Sequence, residues 1–594
     1  MTDLWWPPTA AFLLAVALTY AVRPLAKMVG AVATPKEDRW HRGTIPLMGG
    51  VAIAGAVLVV VPLLPAMSWA AWTLVLGASV LAAVGLLDDF RPLRPQVKFL
   101  TQIVITAIVV AGGVRLSVTG VSALDQLITL VWLVGVTNAF NLLDNMDGLA
   151  AGIGFIAAGF RCYFFLADGN MEGALLAATL CGALGGFLLF NFQPASIFMG
   201  DTGSLFIGML VGGLNVIGPL PYSRGTVAVL LLPVLLLLVP LFDTAFVTVA
   251  RTLAGVSVAQ GGRDHTSHRL VALGLSERGA VLSLWAMALG SGMVAVLSYR
   301  YGLPYTATLV GLLVAGLAVF GVRLGLQRVY PKSRERSGVV RVVANFQYKT
   351  QVATIVLDVA LVALAYYSAY LLRFEYSLPA ELPAFSASIL TVLALHAVML
   401  GVFGVYQDSW RHAGIRDLVN LAMATTAGTA ASMLAVLVQY RFVGYSRAVF
   451  AIHWLLVTAF LCGSRVLFRA LGELLRTERR QGPGTVIYGA GAGGVMVLRE
   501  ARSNQDLDWT VIGFIDDDRG KFRTNVHGVP VLGSLEQVAS LLTSGNVAQV
   551  VVATTAVSPE RLEALTRLCA EAGVRTLVAS LQFHEAPETN HTRH

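Results

Sequence analysis

Asp144 and Asp147 stand with Asn138, Asn141 and Asn145 in the stretch NAFNLLDNMDGLAAG, which directly follows the apolar run LITLVWLVGV. Similar polar residues mark the ends of other apolar runs: Asp88 and Asp89, with Lys98 shortly after them, Asp201 in FMGDTGSLFIG, and His265 and His268 in GGRDHTSHRL. Carboxylates and amide oxygens without thiolates suit a hard cation. Mg²⁺, with Mn²⁺ as a substitute, takes one or two protein carboxylates and lets substrate phosphates complete its shell. The expected substrate is therefore phosphorylated. Lys98 would bring a point charge to a diphosphate, and the small residues after Asp201 would open a helix whose N-terminal N–H groups favour phosphate. A lone aspartate at a helix end is equally well explained as an N-cap, and a lone lysine as ordinary loop charge. The case for chemistry rests on the whole set lying on one face.

The elements that must gather this set are membrane helices. The chain of 594 residues is 56% hydrophobic and only 13% charged, against about a quarter charged in soluble proteins. About fifteen apolar runs are long enough to cross a bilayer. Residues 1–325 hold about eleven of them, 326–350 form a basic linker, and 351–475 hold four more. From 480 to 594 short β-branched runs (GTVIYGAG, WTVIGFID, VAQVVVATT) alternate with helical patterns such as PERLEALTRLCAEAG, as in a small α/β domain with a parallel sheet. The expected fold is thus a polytopic α-helical membrane protein with a C-terminal Rossmann-like domain. TDLWWPP ahead of the first run carries no basic residue, so a cleaved signal peptide is not expected.

Counting loops by parity puts nearly all loop Lys and Arg on one face, which the positive-inside rule makes cytoplasmic, with the N-terminus outside and the C-terminal domain inside. The same rule accounts for the net charge of +8 without a nucleic-acid partner. All the polar motifs of residues 1–325 fall on that cytoplasmic face, where carboxylates close to a bilayer signal function. The four cysteines, Cys162, Cys181, Cys462 and Cys569, are widely spaced and imply neither zinc nor a disulfide framework.

Four ordered stretches, PKEDRWHRGTIPLMGGVAI, LLDDFRPL, NAFNLLDNMDGLAAG and NFQPASIFMGDTGSLFIG, resemble the signature loops of the polyprenyl-phosphate N-acetylhexosamine-1-phosphate transferase family, over residues 1–325. The resemblance implies Mg²⁺-dependent transfer of a HexNAc-1-phosphate from a UDP-sugar to polyprenyl phosphate, releasing UMP, in a bacterial inner membrane at the start of cell-envelope glycan synthesis. It implies that Asn141 and Asp201 hold the metal, that Asp147 lies against the uridine, and that Asp88 and Asp89 handle the acceptor lipid phosphate. Asp144 and His265 join Asp88, Asp89 and Asp201 as the expected catalytic set. Lys98, Asn138, Asp147, Arg263 and His268 are the expected substrate-binding set. One motif departs from the family: where relatives often carry His-x-His-His, this chain has Ser267 between its two histidines, and a serine supplies no imidazole.

The runs from residue 348 onward and the following GTVIYGAGAGGVMVLREARS are similar to the membrane region and first nucleotide-fold domain of the polysaccharide-biosynthesis nucleotide-sugar dehydratase/epimerase family. Gly489, Gly491, Gly493 and Gly494 lie between a strand and a helix, the context of a dinucleotide-type turn. Asp516 opens the acidic end of the next strand, where a ribose hydroxyl could bind. The dehydratases' Tyr-x-x-x-Lys pair has no counterpart after residue 480, so a nucleotide or nucleotide-sugar is expected to be bound there rather than oxidised. A lipid-linked sugar transporter or flippase and an inert membrane scaffold are the rival readings. A transporter should carry its charges toward the midplane, and a scaffold has no need of intact carboxylates. The sequence leaves a homodimer open.

Overall fold

The computed structural model describes residues 4–33, 44–65, 67–217, 226–254, 262, 264–325, 346–374, 378–406, 415–474, 483–503, 507, 509–522, 524–535, 547–553 and 557–579. The chain divides into two compact units, residues 1–477 and 478–594.

Unit one is helical. Its first part runs α1 (Trp6–Met28), a short hairpin of β1 (Val32–Ala33) and β2 (Ile45–Pro46), α2 (Gly49–Val60), α3 (Trp69–Phe90), α4 (Pro95–Ala111), α5 (Ser122–Leu143), α6 (Leu149–Ala167), α7 (Met171–Asn191) and α8 (Gly200–Leu214). There follow α9 (Thr226–Leu236), α10 (Leu238–Ala254), the short α11 (Thr266–Ala272), α12 (Glu277–Tyr301) and α13 (Leu303–Gly325). Most of the motif PKEDRWHRGT lies outside the described residues. Among the described residues eleven helices are long and apolar enough to cross a membrane, fewer than the fifteen runs of the sequence. The difference lies in short helices: Gly49–Leu63 and Pro95–Ala111 miss the length, and α8 has 15 residues. The run from 226 to 254 breaks at Leu237, because Pro240 has no N–H to give the carbonyl four residues earlier and its ring crowds that carbonyl.

Two approaches decide where α8 sits. A methyl group on Gly85 of α3 would collide with the Asp201 main chain, and one on Gly50 of α2 with Gly203. Only glycine lets these three helices meet so closely. The buried core around them draws on Leu74 and Leu81 of α3, Phe140 of α5, Phe187 of α7 and Phe206 and Leu210 of α8.

The second part of unit one is a set of four long helices, α14 (Phe346–Phe374), α15 (Leu378–Val402), α16 (Ile415–Tyr440) and α17 (Arg447–Leu474). Tyr366, Val392, Leu421 and Phe450 meet in their core, which Val319 of α13 also enters. Inside it Arg465 grips Asp358 through two bonds of 2.5 and 2.7 Å, and the carboxylate is fully buried. A buried charge pair of this kind is tolerated when every lone pair is matched.

Unit two is an α/β layer. Strands β3 (Gly484–Tyr488), β4 (Thr510–Ile515), β5 (Asn525–Val526), β6 (Val529–Gly533), β7 (Gln549–Val552) and β8 (Arg575–Val578) form one sheet in the order β5-β6-β4-β3-β7-β8. All neighbours pair parallel except β5 with β6. The central strands β3 and β7 are buried along nearly their whole length, as parallel strands covered on both faces must be. Helix α18 (Ala492–Ser503) lies between β3 and β4 in the chain, and α19 (Pro559–Glu571) between β7 and β8.

Candidate active site

Four helix ends converge. Helix α3 stops at Phe90, where Arg91 turns extended ahead of Pro92, and Pro95 starts α4 in the first-turn position proline favours. Lys98 therefore stands at the start of α4. Its ammonium lies 3.1 Å from Asp88 Oδ2 and 3.3 Å from Asn141 Oδ1, and it also meets Asp201 Oδ2. Asn141, in the last turn of α5, donates from Nδ2 to Asp201 Oδ1 at 2.7 Å and to Ser204 Oγ at 2.9 Å. Asp88 Oδ1 accepts the Leu93 N–H at 2.5 Å. Lys98 and Asp88 retain only 15% and 13% of their side-chain exposure, so their charges are poorly screened by water.

The donor chemistry of this cage bears on the metal expectation. Two carboxylates and one amide oxygen converge on the Lys98 ammonium, a set of hard oxygen donors of the type a divalent ion takes. Among the described residues no group of three His, Cys, Asp or Glu is placed to hold a metal. A divalent ion here would depend on Asp201, Asn141 Oδ1 and substrate oxygens.

The remaining expected residues lie around the cage in different ways. Asp89 turns its carboxylate to the start of α8, accepting from the Asp201 N–H at 2.9 Å and from the Thr202 N–H and hydroxyl at 3.2 and 2.7 Å. Asp144 is the C-cap of α5. Asp147 Oδ2 accepts the Ala195 N–H at 2.9 Å, which ties the loop after α5 to the loop before α8. Asn138 turns to Gln102 Oε1 at 2.6 Å and to its own helix carbonyl at Val134.

His265 is the N-cap residue of α11 and holds Nδ1 2.7 Å from Asp243 Oδ2, while Thr266 binds the other Asp243 oxygen through N–H and hydroxyl. The His268 ring centre is 6.4 Å from that of His265. Arg263 lies outside the described residues. Arg269 is buried, with Nε on the Asp264 carbonyl at 2.8 Å and its guanidinium over Phe246.

Several partners went unread in the sequence. Asp243 orients His265, and Arg251 holds Asp264 by two bonds of 2.6 and 2.7 Å. Both sit in the run PLFDTAFVTVARTL, where an acid and a base within apolar sequence were the available signal. Ser267, the departure from the histidine motif, donates to Asn145 Oδ1 at 2.6 Å. It anchors α11 to the loop that carries Asp144 and Asp147.

In unit two Gly489 turns at φ +106° after β3. A methyl on Gly494 would strike the Gly489 carbonyl and one on Gly493 the Ala553 carbonyl, while the space beside Gly491 is open. Asp516 Oδ2 accepts the Ala490 N–H at 2.8 Å and the Lys521 ammonium at 3.0 Å, and Oδ1 accepts the Asp518 N–H at 2.9 Å. Partial burial pushes this carboxyl up, but the Asp518 and Ala490 N–H groups and Lys521 outweigh it and hold it below the usual range. Asp516 thus ties down the glycine turn.

Residues 71–218 match the profile of glycosyl transferase family 4, and residues 401–579 match a CoA-binding domain. A probable undecaprenyl-phosphate N-acetylglucosaminyl 1-phosphate transferase of Bacillus subtilis is 34% identical over 278 residues, 45% of this chain and 77% of the relative. A decaprenyl-phosphate N-acetylglucosaminephosphotransferase of Mycolicibacterium smegmatis is 36% identical, covering 49% of this chain and 81% of the relative. A putative glycosyltransferase of Streptomyces coelicolor is 38% identical, covering 56% and 78%. Four loop motifs, a cage at four helix ends and these matches define a membrane-embedded transferase. The chain belongs to the polyprenyl-phosphate N-acetylhexosamine-1-phosphate transferase family.

Proposed function

We propose that the chain transfers a HexNAc-1-phosphate from a UDP-sugar to polyprenyl phosphate, giving a polyprenyl-diphosphate sugar and UMP. The relatives named as polyprenyl-phosphate N-acetylglucosamine-1-phosphate transferases support the reaction class, and the convergence of Asp88, Lys98, Asn141 and Asp201 carries it for this molecule. Asp201 and Asn141 would hold Mg²⁺, which when bound supplies charge neutralisation to the diphosphate. Lys98 sets a second positive charge beside it. Asp88, fixed by the Leu93 N–H and Lys98, orients the acceptor phosphate. An acceptor oxygen forms the new bond to the sugar-bearing phosphorus while the bond to the UMP oxygen breaks, a displacement that rewards positioning and charge more than a covalent step.

The finer architecture belongs to the same reading. With the shorter apolar helices included, the chain makes about fifteen crossings. The cage faces the cytoplasm, the side that the basic loops mark. Unit two is Rossmann-like and takes a nucleotide or nucleotide-sugar at the glycine turn, Asp516 keeping a free lone pair for a ribose hydroxyl. The test is UMP release by purified protein with Mg²⁺, polyprenyl phosphate and a panel of UDP-sugars. Absence of release with every sugar would refute the assignment.

A further inference from the structure

Helix α8 lacks a cap of its own. Its N-cap residue is Met199, with a helical backbone and no side chain that can accept, so the first N–H groups would be left without partners. The acceptor comes from another helix. Asp89, next to last in α3, takes the Asp201 N–H on one oxygen and both the N–H and hydroxyl of Thr202 on the other. The negative charge also suits the positive end of the helix dipole.

The neighbouring sequence is shaped around this contact. Gly200 has φ +69°, and a side chain there would run into the Asp89 carboxylate. One turn before Asp89, Gly85 lets α3 touch the Asp201 main chain. Asp201 therefore has its main chain fixed by Asp89 and its side chain directed to Lys98 and Asn141. Asp88, by contrast, binds Leu93 and Lys98 within the cage.

We infer that Asp89 is a positioning residue: it caps α8 from α3 and thereby sets where the Asp201 carboxylate stands, leaving Asp88 as the member of the pair that meets substrate. This deepens the proposed reading and rests on it for the role of Asp201.

The test uses the full chain in detergent and two readouts. In hydrogen–deuterium exchange, Asp89→Asn should speed exchange of peptides covering residues 200–206 roughly tenfold, because the charge is lost and the new NH2 faces one of the two N–H groups its oxygens now accept, and Asp88→Asn should not. In kinetics, Asp89→Asn should lower kcat while the KM for polyprenyl phosphate stays at the wild-type value. Thr202→Val removes one of the three bonds and should give the same pattern at about a third of the size. Unchanged exchange over 200–206 in Asp89→Asn, or in Thr202→Val should the first variant not fold, would overturn the inference. So would a raised acceptor KM with wild-type exchange. A wild-type protein that releases no UMP would instead strike the proposed function, and the exchange result would still decide whether Asp89 is the cap.

Discussion

Replacing Lys98 by Met keeps the side chain's stem and removes its ammonium from three oxygens at once: Asp88 Oδ2 at 3.1 Å, Asn141 Oδ1 at 3.3 Å, and Asp201 Oδ2. At an effective dielectric of about 20, one such pair near 3 Å carries roughly 5 kcal/mol of attraction before desolvation is subtracted. Losing one partner of a buried, hydrogen-bonded pair costs about 2–5 kcal/mol in practice. With about 3 kcal/mol falling on the transition state, kcat/KM should drop about two orders of magnitude. Two uncompensated carboxylates remain, so the half-saturating Mg²⁺ concentration should stay level or fall even as turnover collapses. The assay is UMP release against a Mg²⁺ titration. Lys98→Met retaining more than about a third of wild-type kcat/KM at saturating Mg²⁺ would refute the placement of this charge at the reacting diphosphate.

Asp201→Asn should abolish turnover, a loss of more than about 3 kcal/mol, with the protein still folded as judged by size-exclusion profile; activity above a few per cent would overturn the metal assignment. Ser267→Ala releases α11 from Asn145 and should raise the donor KM about threefold to tenfold, the scale of one hydrogen bond, with a smaller effect on kcat; an unchanged KM would make the bridge ornamental. Gly494→Val drives a side chain into the Gly489 carbonyl and should make residues 478–594 markedly more sensitive to trypsin, whereas Gly491→Val, beside open space, should not; equal sensitivity would contradict the turn geometry.

The residues of the cage were legible because charge near a bilayer is costly and has to be explained. Asp88, Lys98, Asn141 and Asp201 were read from motif and face, and the structure brings them together. Partnership was not legible. Nothing in DDF distinguishes the carboxylate that meets the cage from the one that caps α8, because the two differ only in the direction their side chains leave α3. The Asp243–His265 contact joins residues 22 apart across a loop, beyond any helical or strand period. Asn138 reads like Asn141 in sequence, yet one helical turn along α5 moves its amide to Gln102. In unit two the strands GTVIY, TVIGFI and QVVV stood out by β-branched runs. The two-residue β5, β6 with Pro530 inside it, and β8, whose RTLV opens on an arginine, carry no such run and are not legible in this way.

The buried pair of Asp358 and Arg465 bears on how the chain is made. The two residues lie 107 positions apart, so at about 5–20 residues per second the arginine leaves the ribosome roughly 5–20 s after the aspartate. Through that interval α14 carries a carboxylate whose insertion alone costs about 2.5–3.5 kcal/mol. Only when α17 arrives does Arg465 pair the carboxylate and offset that cost.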